Sequence, residues 1–234
     1  MSKIVLITGT SKGIGRYLAE YYLDKKFKVI GCSRSNCTLH HENYDHIYGD
    51  VANEKDVKKT IKFIRTKYGK LDVLINNAGT ASMNHFLLTP TETVEKLFRV
   101  NYLGTFLYSR ESAKLMKKNK FGRIVNFTTV ASPLSLEGEA IYSSIKAGVE
   151  KLTSVLSKEL GDFGITVNSI GPTPIKTSLM RTVPADKVKA LLDKQVFKRY
   201  GDFKDISNVI DFYMSQESNF ITGQKLFLGG ISWN

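Results

Sequence analysis

The stretch Ile4-Val5-Leu6-Ile7-Thr8-Gly9-Thr10-Ser11-Lys12-Gly13-Ile14-Gly15 decides the fold. Four apolar residues read as a buried strand, and a glycine-punctuated turn follows. From residue 13 the apolar spacing becomes helical. Strand, tight turn and helix, in that order, make a site where backbone can approach a pyrophosphate closely. The helix N-terminus then offers unpaired N–H groups and a partial positive charge to the phosphates. Gly9, Thr10, Ser11, Lys12, Gly13, Ile14 and Gly15 are therefore the first candidate cofactor-binding residues.

Working outward, short apolar runs alternate with longer amphipathic ones. Strands are expected at 3–8, 28–32, 46–48, 73–76, 123–128, 166–170 and 225–228. Helices are expected at 13–25, 54–68, 91–118, 142–160, 186–195 and 204–214. Alternating strands and helices imply an α/β, doubly wound parallel sheet of about seven strands, with helices on both faces. The 234 residues read as a single domain spanning 1–234, with no repeat or linker. The irregular stretch 172–184, rich in Pro, Thr and Ser, follows a late strand and has the place of a lid.

Composition narrows the function classes. Hydrophobic residues make up 42% and charged residues 24%, as in a globular protein with a sizeable core. No apolar run approaches the roughly 18 residues of a membrane span, so a cytoplasmic protein without a membrane partner is expected. Cys32 sits in an apolar run, and two thiols (Cys32 and Cys37) make no disulfide framework. His40, His41, His46 and His85 show no ligand spacing, so no metal is expected. The net charge of +12 points to acidic partners or to a lysine-rich surface, and no base-reading motif or nucleic-acid partner is expected.

Two further segments carry chemistry. A cofactor with a free ribose 2′-hydroxyl calls for a carboxylate at the end of the second strand. Here that place holds Ser33-Arg34 and no acid, and Lys12 adds a second cation. Guanidinium suits a 2′-phosphate, which favours NADP(H) over NAD(H). Further on, Tyr142-Ser143-Ser144-Ile145-Lys146 places a phenol and an ammonium at i and i+4 on one helix face. A free tyrosine titrates near pH 10, and a neighbouring ammonium favours the phenolate.

With these motifs in order, the chain resembles the short-chain dehydrogenase/reductase family over nearly its whole length. The resemblance also rests on Gly49-Asp50-Val51, Asn76-Asn77-Ala78-Gly79, Asn101, a hydroxyl residue 13 before the tyrosine, and Pro172 through Thr177. It implies a Rossmann fold and an NADP(H)-dependent oxidoreductase that interconverts a ketone and a secondary alcohol. It implies Tyr142 as the general acid, Lys146 as the group that lowers its pKa and holds the nicotinamide ribose, and Asn101 as support for a relay water. Asp50 and Val51 would meet the adenine, Asn77, Ala78 and Gly79 would line the cofactor, and Ile175 and Thr177 would meet the carboxamide. There are two departures. Thr129 stands where the family has serine, keeping the hydroxyl for the substrate oxygen but adding a methyl. Thr128 is expected to face the other way, and Ser132 is a substitute donor. Thr173 stands where glycine often follows Pro172.

The resemblance is nearest to 3-oxoacyl-carrier-protein reductases. Lys114, Lys117, Lys118, Lys120 and Arg123 form a basic cluster that fits either an acidic carrier protein or a helix C-terminus, and Phe163 stands where that subgroup often adds a cation. A carrier-bound acyl thioester, a sugar or another small carbonyl compound all remain open as substrate. So does a non-catalytic NADP-binding regulator, although such proteins usually lose the tyrosine or lysine. Tyr102, Phe106, Tyr108, Val149, Val155 and Leu156 exceed what one core face needs. With Phe220–Gln224 and Leu228–Gly230 resembling the family's ending, they imply a homo-oligomer, dimer or tetramer.

Overall fold

The computed structural model describes residues 2–232, apart from the side chains of residues 181 and 182; residues 1, 233 and 234 of the expected domain lie outside them. In chain order the elements are β1 (Ile4–Thr8), α1 (Gly13–Asp24), β2 (Lys28–Ser33), β3 (Tyr44–Tyr48), α2 (Glu54–Tyr68), β4 (Val73–Asn76), α3 (Thr91–Phe98), α4 (Gly104–Met116), β5 (Gly122–Phe127), α5 (Ala131–Leu134), α6 (Ala140–Leu160), β6 (Ile165–Gly171), α7 (Ala185–Asp193), α8 (Phe203–Met214) and β7 (Lys225–Phe227). The seven strands are all parallel, in the order β3-β2-β1-β4-β5-β6-β7. The order reverses between β1 and β4, and a crevice opens there at the strands' carboxyl ends.

Period-two alternation divides the core. In β1, Leu6 faces a cluster with Val57, Ile61 and Ile64 of α2 and Leu107 and Leu115 of α4. Val5 and Ile7 face the other side, against Leu18 and Tyr22 of α1 and Ile206 and Ile210 of α8. Both faces of the sheet are covered, which is why its central strands are buried throughout and largely apolar. β3 departs from that rule: it is an edge strand, its residues are only partly buried, and it carries Tyr44, Asp45 and His46. For that reason apolarity marked only its end, at 46–48.

Two expectations need correction. The helix expected over 91–118 is not one α-helix. A π-helical segment, Arg99–Leu103, joins α3 to α4, and a 3₁₀ turn over Lys117–Asn119 ends it. The basic cluster also loses a member. Arg123 is only 2% exposed, donates to the carbonyls of Gly122 and Ser215, and lies over the Phe121 ring. Of the rest, Lys114 pairs with Glu111, and Lys117 covers Phe163.

Candidate active site

The glycine loop forms the floor of the site. Gly9 has φ +78°, and Gly13 has φ +60°. A Cβ on Gly9 would come within 2.9 Å of Ala78 Cα. The loop is fixed from the β4 side. Asn77 Nδ2 donates to the Thr8 carbonyl at 2.8 Å, and Ala78 N–H donates to Thr8 Oγ1 at 2.9 Å. On the other wall, Thr177 approaches the loop: a Cβ on Gly13 would lie 3.7 Å from Thr177 Cγ2. Between these walls lies a cleft of about 580 Å³, within the range of small-molecule and cofactor sites.

Most of the expected residues line this cleft. Gly9, Ser11, Lys12, Gly13 and Ile14 do so at the first turn, and Arg34, Asp50 and Val51 at the ends of the next strands. Asn77, Ala78 and Gly79 line its middle, and Ile175 and Thr177 its far wall. Thr129, Tyr142 and Lys146 sit together at the chemical end. Lys12 and Arg34 are exposed, and neither forms an ion pair among the described residues. The Asp50 carboxylate accepts from Ala52 N–H, which ties it to its own turn.

Three expected residues do not reach the cleft surface. Thr10 is fully buried, and its hydroxyl accepts from the Tyr44 phenol at 2.9 Å. Gly15 is a packing glycine, because a Cβ there would strike the Gly9 carbonyl and the Asn77 amide. Asn101 is fully buried within the π-helical segment. Its Nδ2 donates to the Thr80 and Leu97 carbonyls at 2.9 and 3.0 Å, and its Oδ1 accepts from Thr80 N–H at 3.2 Å. The amide thus braces the corner after Gly79.

At the chemical end, Lys146 is buried, and its ammonium donates to the Phe127 carbonyl at 2.8 Å. It also lies 6.0 Å from the centre of the Tyr142 ring. Desolvation lowers the lysine to about 8, opposed by the Glu150 carboxylate. Burial pushes the Tyr142 phenol up, the Glu139 carboxylate pushes it further, and a hydrogen bond with Thr129 works the other way. In the polypeptide alone burial outweighs any lowering by Lys146, and the phenol stands above its ordinary value. Both threonines border the cleft just past the end of β5, but the Thr128 hydroxyl is buried, and a Cβ on Gly171 would lie 3.1 Å from it. Of the two, Thr129 acts on the Tyr142 phenol. Ser132 is buried away from the cleft lining.

The residues fit a dinucleotide. The glycine cradle would be filled by a Cβ, the helix N-terminus faces the cleft, and the exposed cations Lys12 and Arg34 line it nearby. A model of the short chain dehydrogenase family matches residues 3–188. The chain belongs to the short-chain dehydrogenase family. This dehydrogenase is 30% identical to the 3-oxoacyl-[acyl-carrier-protein] reductase of Vibrio cholerae, over 97% of this chain and 96% of that one. Among solved structures it resembles ElxO with NADP bound, at 31% identity and a TM-score of 0.90, covering 98% of both chains. It also resembles the aldohexose dehydrogenase of Thermoplasma acidophilum, at 28% identity and a TM-score of 0.89, covering 98% of this chain and 94% of the other.

Among the cleft residues not read from the sequence, one is an acid. Glu139, three residues before Tyr142, lines the substrate end with its Oε2 buried. An acid just before a helix usually reads as a partner of the helix dipole, so only its tertiary surroundings single it out.

Proposed function

We propose that this short-chain dehydrogenase is an NADP(H)-dependent enzyme that interconverts a ketone and a secondary alcohol, with residues 1–234 acting as one cofactor-binding domain. The observation that carries the reading is the meeting of Thr129, Tyr142 and Lys146 at the end of one long cleft whose other end holds the glycine loop and Arg34. A nicotinamide bound along that cleft would supply or accept the hydride at the carbonyl carbon. Thr129 holds the substrate oxygen, and Tyr142 gives that oxygen its proton in the reducing direction. The resulting phenolate sits near the Lys146 ammonium, which stabilises it. Asn101 keeps the Gly79–Thr80 corner in place beside the lysine: a Cβ on Gly79 would lie 2.9 Å from Asn101 Oδ1 and 3.8 Å from Lys146 Nζ. Lys12 and Arg34, with no carboxylate beside them, favour the phosphorylated cofactor, and ElxO is a structural neighbour with NADP bound.

Two substrate classes follow from the relatives. The Vibrio cholerae reductase supports an acyl thioester, and the aldohexose dehydrogenase supports a sugar. The test is NADPH oxidation with a panel of carbonyl compounds, acyl thioesters included. Tyr142→Phe is expected to lower kcat at least a hundredfold, with NADPH affinity changed less than threefold. Arg34→Asp is expected to weaken NADPH at least tenfold relative to NADH. A Tyr142→Phe enzyme with full activity overturns the catalytic reading. An unchanged cofactor ratio in Arg34→Asp overturns the choice of NADP(H).

A further inference from the structure

We propose that Glu139 selects the substrate of this dehydrogenase, its carboxyl group holding a hydroxyl that a sugar-like carbonyl compound carries close to the reacting carbon. The proposal rests on the ketone–alcohol reading above and narrows it to one substrate class.

Glu139 stands where α6 begins, and it has no structural task there. Its side chain makes no capping hydrogen bond to the helix. Its backbone is fixed instead. Glu139 N–H donates to the Leu136 carbonyl at 3.2 Å, and its carbonyl accepts from Ser143 N–H at 2.7 Å. The preceding Gly138, at φ +80°, accepts from Asn84 N–H at 2.9 Å. The main chain thus presents the side chain to the cleft. There Oε2 is buried with no hydrogen-bond partner among the described residues. The neighbouring acid does not share this state, because Glu137 is exposed and pairs with Lys187.

The chemistry around Glu139 restricts what can satisfy it. Met83, Leu136, Met180, Val183 and Val188 line the same cleft, and so does the cation Lys187, which pairs with Glu137. Burial raises the carboxyl to about 7, with no cation opposing the rise, so both protonation states are accessible near neutrality. A hydroxyl suits either state, since it donates to the carboxylate and accepts from the acid. A plain acyl chain would seal the carboxyl against hydrocarbon and leave it unpaired. Glu139 stands three residues before Tyr142 at the start of α6, and both line the cleft, which puts the recognised hydroxyl near the carbon being reduced. A further hydroxyl, Thr173 Oγ1, is likewise buried without a partner in a residue lining the same cleft, so the site carries more polar capacity than a hydrocarbon substrate uses.

The test compares the full-length wild type with Glu139→Leu and Glu139→Gln on cyclohexanone, its monohydroxy derivatives and acetoacetyl-coenzyme A, with NADPH. The wild type is expected to prefer at least one monohydroxy derivative over cyclohexanone by about tenfold in kcat/KM, the value of one good polar contact. Glu139→Leu brings that ratio to about one, and Glu139→Gln keeps part of it because the amide still bonds a hydroxyl. The same compounds are titrated into the NADPH complexes and followed by NADPH fluorescence. That readout gives the hydroxyl preference without turnover and shows that each variant binds cofactor. A wild type with no hydroxyl preference, or a Glu139→Leu protein that keeps it, overturns the proposal. Failure of the parent reading looks different: Tyr142→Phe then turns over as fast as wild type, whatever Glu139 does.

Discussion

At the residue scale, burial moves two charged groups of the cleft in opposite directions. Lys146 falls to about 8 and Glu139 rises to about 7, each toward its neutral form. For Glu139 the folded value lies above the ordinary carboxylate value of 4.5, so the folded chain holds its proton longer. Between those two pH values the folded state binds more protons than the unfolded one, and stability falls as pH rises. The full cost is present above about pH 7 and absent below about pH 4.5. Glu139→Gln removes the ionisation. Its thermal midpoint is expected to match wild type near pH 4 and to exceed it at pH 8, by a stability gain on the order of 1–3 kcal/mol. Equal midpoints at both pH values would sink the assignment. Retaining a carboxyl that costs stability is what a functional site does. The sequence displayed Tyr142 and Lys146 because their spacing is local, and Thr129 through the family resemblance. It displayed neither the orphaned state of Glu139 nor the inward turn of Thr10, because both depend on which side chains arrive from elsewhere.

Elements show the same division. The βα turn at 8–15 was legible because strand, glycine and helix signals are contiguous. The π-helical segment was not, since one extra residue in a turn hardly disturbs a 3.6-residue apolar rhythm over 91–118. Its consequence is tertiary: it buries Asn101 and brings Gly104 so close to Val51 that a Cβ would lie 2.9 Å from Val51 Cγ2. The β2–β3 edge illustrates a second hidden constraint. The Tyr44 phenol donates to Thr10 Oγ1 at 2.9 Å and meets His46 Nδ1 at 3.0 Å. Ser33 Oγ meets His46 Nε2 at 3.1 Å. This chain of contacts holds β3 beside the strand end that carries Arg34. Gly31 leaves room for it, because a Cβ there would collide with both the phenol and Thr10 Oγ1. Gly31→Ala is expected to cost about 1–3 kcal/mol in urea unfolding and to weaken NADPH binding several-fold. Tyr44→Phe should cost about 1 kcal/mol, the value of the lost hydrogen bond. A Gly31→Ala protein as stable as wild type would mean that the edge is not held in this way.

For the whole molecule, the alternating pattern gave the parallel sheet and its two covered faces, because central strands buried on both sides must be apolar. The outer surface was harder to read. Tyr108 and Val149, counted as surplus apolar residues, are buried in their own subunit, at 1% and 0% exposure. A helical pattern does not say how many of its faces are covered. What remains outside is still substantial. Phe98 stacks on Tyr102 with ring centres 5.3 Å apart, yet it is 47% exposed, and Val155 on α6 is 41% exposed. Phe220 is 97% exposed near the C-terminus. Apolar groups on two separate regions favour association through more than one surface. Sedimentation at micromolar concentration is therefore expected to give a dimer or a tetramer. Val155→Glu and Phe220→Glu, made separately, are each expected to shift the distribution to a smaller species, because each would place a charge in a desolvated contact. A wild type that sediments as a monomer overturns the assembly. A smaller species from only one of the two variants assigns the interface to that residue's surface.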